Sequence, residues 1–478
     1  MSEETPSGER LARVAETYGL TLSDEERTAY ETEIQNTQAL LGGLEPTAFE
    51  SESATDVTEG DDEYNAFLYR CSVQSQDSGP LAGMDLAVKD NIAIAGVPMT
   101  CGSAAVDFEP SYHAAVTERL AEAGANLVGT TNMDEFAYFT TSETCAHGPV
   151  TNPNSEGVPG GSSSGSGAAV AAGLVDAALG TDTGGSIRIP ASYCGVVGFK
   201  PTFRSVPRFG FADLASSLDH IGPLAPDVET AATVLSAING PDVRDPSTDG
   251  VPTPEPTEGL DTDPDGLTVG LVSNAQKRAD DAVAERVQAE MDRLESAGVT
   301  VEEVSLPGLD MQPLVNAAVT AVEFTTLVAQ AGQDIGVGTG YSDEWREAVA
   351  TMDGAQLGEN VRARLVVGRT LATGDDSAGY VAAQNTRQQF RETVEQRLTE
   401  YDALVTPTTP TTAPEYGSVD TDADLLDTIA LTSPFNLTGH PALSVPCEGE
   451  EPVGCQIVTD HFDEATAVTL GAALERAR

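Results

Sequence analysis

The order of apolar and polar positions divides the chain into an amphipathic start, an acidic interruption and a long alternating body. Between residues 7 and 44, Leu11, Val14, Ala15, Tyr18 and Leu20 keep near-helical spacing, and Ser23-Asp24-Glu25-Glu26 has the form of a cap and first helical turn. Residues 50–64 (ESESATDVTEGDDEY) are small and acidic and predict a solvated linker. From Ala66 on, short apolar stretches at 84–88, 126–129, 177–180 and 195–199 alternate with helical pieces such as 114–125, which argues for an α/β fold. Residues 267–272, 284–297 and 299–304 read as strand, helix and strand, 384–399 as a helix and 403–405 as a strand. Residues 442–445 and 456–458 read as a strand pair. A Pro- and Asp-rich run, 243–266, reads as a surface loop of one large domain. The expected division is a helical extension with its linker, 1–64, and a body of 65–478.

Composition sharpens this picture. The 478 residues include 24 Lys+Arg against 76 Asp+Glu, a formal charge of −52, and 40% hydrophobic residues, enough for a substantial core. Such a polyanion repels nucleic acid, so direct nucleic-acid binding is not expected. No apolar run reaches the ~18–20 residues of a membrane span, and the first residues lack a signal-peptide profile, so a soluble, cytoplasmic protein is expected. The acids spread along the whole chain, and only Lys89, Lys200 and Lys277 are lysines. That balance predicts a protein of concentrated salt, where screening relieves self-repulsion. It also makes each remaining lysine a candidate for work that arginine cannot do. The six cysteines form no CxxC pair, and the five histidines show no paired spacing, so reduced thiols and no metal site are expected.

Two passages carry candidate chemistry. Gly160-Gly161-Ser162-Ser163-Ser164-Gly165-Ser166-Gly167 runs directly into an acid-free, Ala-rich helix that must be buried. Gly161 to Gly165 match the G-x-S-x-G nucleophile elbow around Ser163, but a loop precedes them where that motif needs a strand. The second passage, Gly180 to Arg188, sets Gly184 and Gly185 before Ser186; paired glycines let successive N–H groups converge as an oxyanion hole does. No histidine lies in either passage, the nearest being His220. Lys89, ending the apolar run Leu86-Ala87-Val88, can be the base if desolvation brings its pKa toward ~7–8. Asp182 and Arg188 read as partly buried partners that fix the turns.

At these residues the chain resembles the amidase signature family, over about 83–458 and most densely over 158–202 (VPGGSSSGSGAAVAAGLVDAALGTDTGGSIRIPASYCGVVGFKPT). The resemblance implies an α/β/α fold around a large mixed sheet, with a small helical N-terminal extension here, and a Ser–cisSer–Lys triad. Lys89 is then the base, Ser162 the serine on a cis peptide and Ser186 the nucleophile. The amides of Thr183, Gly184, Gly185 and Ser186 form the oxyanion hole, with no cofactor. The implied activity is hydrolysis of a small-molecule carboxamide to carboxylate and ammonia through an acyl-enzyme. The alternative is the glutaminase component of a glutamyl-tRNA(Gln) or aspartyl-tRNA(Asn) amidotransferase. Arg364 fits the carboxyl-binding arginine of that branch, but Ile429 stands where its amino-gripping aspartate is expected. The helical start resembles that of stand-alone amidases, in which such an extension helps make a homodimer.

Overall fold

Apolar, strand-forming segments pair into one mixed sheet: β1 (Thr55–Glu59), β2 (Phe67–Ser72), β3 (Asp85–Lys89), β4 (Asn126–Thr131), β5 (Ala177–Asp182), β6 (Val197–Lys200), β7 (His220–Ala225), β8 (Thr268–Val272), β9 (Thr300–Val304), β10 (Ala403–Pro407), β11 (Ala442–Pro446) and β12 (Gly454–Thr459). Their spatial order is β1-β2-β4-β3-β5-β7-β6-β11-β12-β10-β8-β9. β4, β3 and β5 are parallel to one another, as are β10, β8 and β9; the remaining pairs are antiparallel. The inner strands β5, β7, β10 and β12 are buried throughout, while β1 at the edge is exposed along its length. Continuous burial is what a sheet covered on both faces requires.

Side-chain alternation shows the two covering layers. On β11, Ala442 joins a core with Phe390 and Phe435 from two helices, whereas Leu443 and Val445 meet Gly471 of the C-terminal helix Glu464–Arg476. The α/β/α arrangement expected from the sequence is the arrangement found. All six cysteines are buried and unbridged.

The computed structural model describes residues 8–44, 49–333, 342–373 and 378–478. They belong to two compact units, Met1–Phe49 and Glu50–Arg478. In the first, helices Gly8–Thr17 and Asp24–Leu41 are present, and Ser23 and Glu26 close a reciprocal capping box at the second. The unit boundary precedes the expected one at 64/65. Residues 55–59, expected within a linker, form β1 on β2, because alternate Thr and Val suit an edge strand even among acids. The 243–266 run is a surface passage of the second unit with short turns at Pro246–Thr248 and Pro256–Gly259. Gly259 packs backbone to backbone on Ala465.

Candidate active site

Parallel pairing of β3 and β5 brings their carboxyl ends to one side of the sheet, and with them Lys89 and Asp182. In parallel sheets this is the side where ligands bind. The serine run lies beside these ends: the helix Ser164–Ala171 is buried over Ser164 to Val170 and packs on β5. Its serines are mostly fasteners. Ser163 Oγ donates to the Thr181 carbonyl (3.2 Å) and accepts from the Thr181 N–H (3.1 Å), and Ser166 Oγ donates to the Leu179 carbonyl (3.0 Å). Ser163 is therefore occupied in stitching helix to strand, and the segment before it carries no strand, so the elbow pattern has no elbow.

Ser162 differs. The Gly161–Ser162 peptide is cis, and Lys89 Nζ donates to Ser162 Oγ at 2.8 Å and to Thr181 Oγ1 at 2.8 Å. Position 161 admits only glycine, since a Cβ there would lie 2.0 Å from Asp134 Oδ2. Both Lys89 and Ser162 are fully buried. Burial pushes the Lys89 amine down to about 7, against the opposing pull of the Asp134, Asp182 and Asp219 carboxylates. An amine held there is neutral in about half of the molecules at pH 7, and in that form it can accept a proton from the serine it touches.

Ser186 follows the double-glycine turn. Gly185 has φ +138°, and a Cβ on it would meet Thr432 Oγ1 at 2.2 Å, so the turn is built around the missing side chain. Four carbonyls of this turn are held from outside: Asp182 by Asn436 Nδ2 (3.0 Å), Thr183 by Asn316 Nδ2 (3.1 Å), Gly184 by Thr432 Oγ1 (2.7 Å) and Ser186 by the Ser163 N–H (3.3 Å). The N–H groups of Thr183, Gly184, Gly185 and Ser186 have no acceptor among the described residues. Four free donors on one rigid turn can receive a developing oxyanion.

Asp182 and Arg188, read as partly buried, are wholly buried and joined by two hydrogen bonds, Arg188 Nη2 to Oδ1 at 2.9 Å and Arg188 Nε to Oδ2 at 3.0 Å. Arg188 Nη1 also donates to Gln456 Oε1 (2.7 Å) and the Thr432 carbonyl (2.9 Å). Burial pushes the Asp182 carboxyl up, but Arg188, with Lys200 and Asn436, outweighs it and holds the group well below the usual carboxylate range. His220 is spent on the Asp182 carbonyl (Nδ1, 3.2 Å) and Lys200 (Nε2, 3.4 Å), with no contact to either serine.

Ser186, Thr183 and Gly184 line a cavity of about 330 Å³ whose other walls are mostly apolar, among them Tyr138, Leu214, Leu426 and Ile429. Arg364 also lines it, ion-paired with Asp422 and set 5.7 Å from the centroid of the Tyr138 ring. The sequence reading missed Thr181, Asp134, Asn316, Thr432 and Asn436. Only Thr181 lies within the motifs; the others arrive through the fold and have no local signature.

A buried lysine bonded to a serine, and a second serine on a turn of free amides lining a cavity, are groups that acyl-transfer chemistry can use. The chain belongs to the amidase family, whose model, described as Amidase, matches residues 52–468. It is 43% identical to the A subunit of glutamyl-tRNA(Gln) amidotransferase from Natronomonas pharaonis over 420 residues, 86% of this chain and 99% of that one. Among solved structures, it superposes on the A subunit of glutamyl-tRNA(Gln) amidotransferase from Thermotoga maritima with a TM-score of 0.75 and 34% identity, covering 86% and 87% of the two chains. The peptide amidase of Stenotrophomonas maltophilia superposes with a TM-score of 0.68 and 29% identity, covering 83% of each.

Proposed function

We propose that Ser186 attacks the carbonyl carbon of a small-molecule carboxamide, with Ser162 and Lys89 as its proton relay. Neutral Lys89 takes the Ser162 proton as Ser162 takes that of Ser186, and the Ser186 Oγ–carbon bond forms. The carbonyl oxygen becomes an oxyanion received by the amides of Thr183, Gly184, Gly185 and Ser186. Collapse breaks the C–N bond, and the proton returns through Ser162 to the leaving nitrogen as ammonia departs. Water then repeats the sequence on the acyl-enzyme, releasing a carboxylate and restoring Ser186. The observation that carries this reading is the fully buried Lys89–Ser162 hydrogen bond at 2.8 Å.

The mostly apolar cavity wall, with Ile429 at the position expected for a carboxylate and with its two charged residues, Arg364 and Asp422, paired to each other, supports an uncharged aliphatic or aromatic acyl group. A second reading, glutamine hydrolysis as the glutaminase component of a tRNA-dependent amidotransferase, draws on the names of the relatives and on Arg364 in the cavity, which could receive a substrate carboxylate. The test is ammonia release by the purified chain alone, in molar KCl, from an aromatic carboxamide, an aliphatic carboxamide and glutamine. Turnover of the neutral amides, kept within about threefold in Arg364→Met, is expected. Activity confined to glutamine, dependent on partner proteins and lost in Arg364→Met, would transfer the chain to the second reading.

A further inference from the structure

Two histidines and an aspartate far apart in the sequence meet at one end of the sheet. Ala442 of β11 faces Val458 of β12, so the residues two steps outward, His440 and Asp460, come opposite each other with His461 alongside. Each of His440, Asp460 and His461 offers a ligand atom within 4.8 Å of the others. His440 Nε2 is 3.9 Å from Asp460 Oδ1, and the two imidazoles stand edge to face with centroids 3.9 Å apart. His440 is fully buried, and neither of its ring nitrogens has a hydrogen-bond partner. A neutral imidazole carries one N–H and one lone pair, and buried groups of this kind are almost always paired. The nearest cation does not serve the ring: Lys200 Nζ donates to the His440 carbonyl (2.5 Å) and the Pro201 carbonyl (3.1 Å).

We propose that His440, Asp460 and His461 bind one divalent transition-metal ion of the zinc or cobalt class, with water completing its shell. Two imidazole nitrogens and one carboxylate suit these ions, whereas magnesium and calcium prefer oxygen alone. Ligand atoms ~2.0–2.2 Å from a tetrahedral ion lie about 3.4 Å apart, so the cluster, now spread over up to 4.8 Å, needs to close by up to about 1.4 Å. Asp460, 65% exposed, has the freedom to do so and leaves a route from solvent. Its Oδ1 already accepts the backbone N–H of His461 at 2.8 Å, which fixes the carboxylate beside the rings. Arg391, whose positive charge reaches both rings, is itself paired with Glu395 at 2.7 Å. None of the three ligands lines the cavity at Ser186, so the ion is assigned a structural place and not a part in amide hydrolysis.

The test uses the full metal-free chain in molar KCl with excess magnesium, which occupies the acidic surface, titrated with cobalt(II). One ion per chain and the visible absorption of tetrahedral cobalt are expected. Affinity should fall at least roughly tenfold in Asp460→Asn and in His461→Gln, two partly exposed positions whose substitution spares the core. Cobalt binding without visible absorption, or with equal affinity in both variants, would overturn the proposal. So would the absence of binding.

Discussion

Lys89 Nζ lies 2.8 Å from Ser162 Oγ, and neither side chain reaches solvent. Arginine could satisfy the same hydrogen bond but stays protonated at any working pH, so Lys89→Arg should be as inactive as Lys89→Met. The pH profile should follow the amine: kcat/KM rises as pH climbs through about 7, where the buried group loses its proton. Stability has a matching sign. The folded amine titrates near 7 and an unfolded lysine near ~10.4, so between these values the unfolded chain binds more protons and stability rises with pH. Lys89→Met removes that penalty, so its melting temperature should gain most on the wild type below pH 7 and least above pH 10. A pH-independent difference would mean that Lys89 titrates normally.

Arg188 and Asp182 anchor the turn that carries Ser186. Arg188→Met leaves the Asp182 charge in a dry interior without its main partner, at a cost of roughly 3–5 kcal/mol. Denaturant unfolding at pH 7 is the check. The double variant Arg188→Met/Asp182→Asn should recover part of the loss, because no isolated charge remains.

With −52 formal charges and few cations to pair them, the folded chain repels itself. Screening shortens from ~10 Å at 0.1 M salt to ~3 Å at 1 M, so the melting temperature should climb over that range. A flat melting temperature from dilute buffer to molar KCl would refute salt adaptation.

The two N-terminal helices and the turn between them lie outside the matched family region and expose Val14, Tyr18, Leu20, Leu40 and Leu41. A homodimer contact through this unit is the proposal. A chain beginning at Glu50, which keeps β1, should sediment as an active monomer where the full chain is a dimer. Dimers of the shortened chain would place the contact on the body.

The parts of the site that lie within one motif were legible in the sequence, and those assembled by the sheet were not. Lys89 stood out because lysine is so scarce, and Ser186 because two glycines precede it. β7 went unread because Gly222 and Pro223 interrupt its apolar run; it is held by pairing with β5 and β6. Asn316, on a helix distant in sequence, gives no local sign that its amide holds the Thr183 carbonyl. The strand at 55–59 was hidden by its acidity, since polar side chains suit an edge that neither face buries.

The central claim is that Ser186 is the nucleophile. Its hydroxyl makes no hydrogen bond among the described residues, so Ser186→Ala should fold normally while activity falls by roughly 10⁴-fold or more. The most direct measurement is to quench the enzyme during turnover of a slow carboxamide and map the acylated peptide by mass spectrometry. The account requires the acyl group on Ser186 and no adduct in Ser186→Ala. An adduct on Ser163 or elsewhere, or full activity in Ser186→Ala, would contradict it.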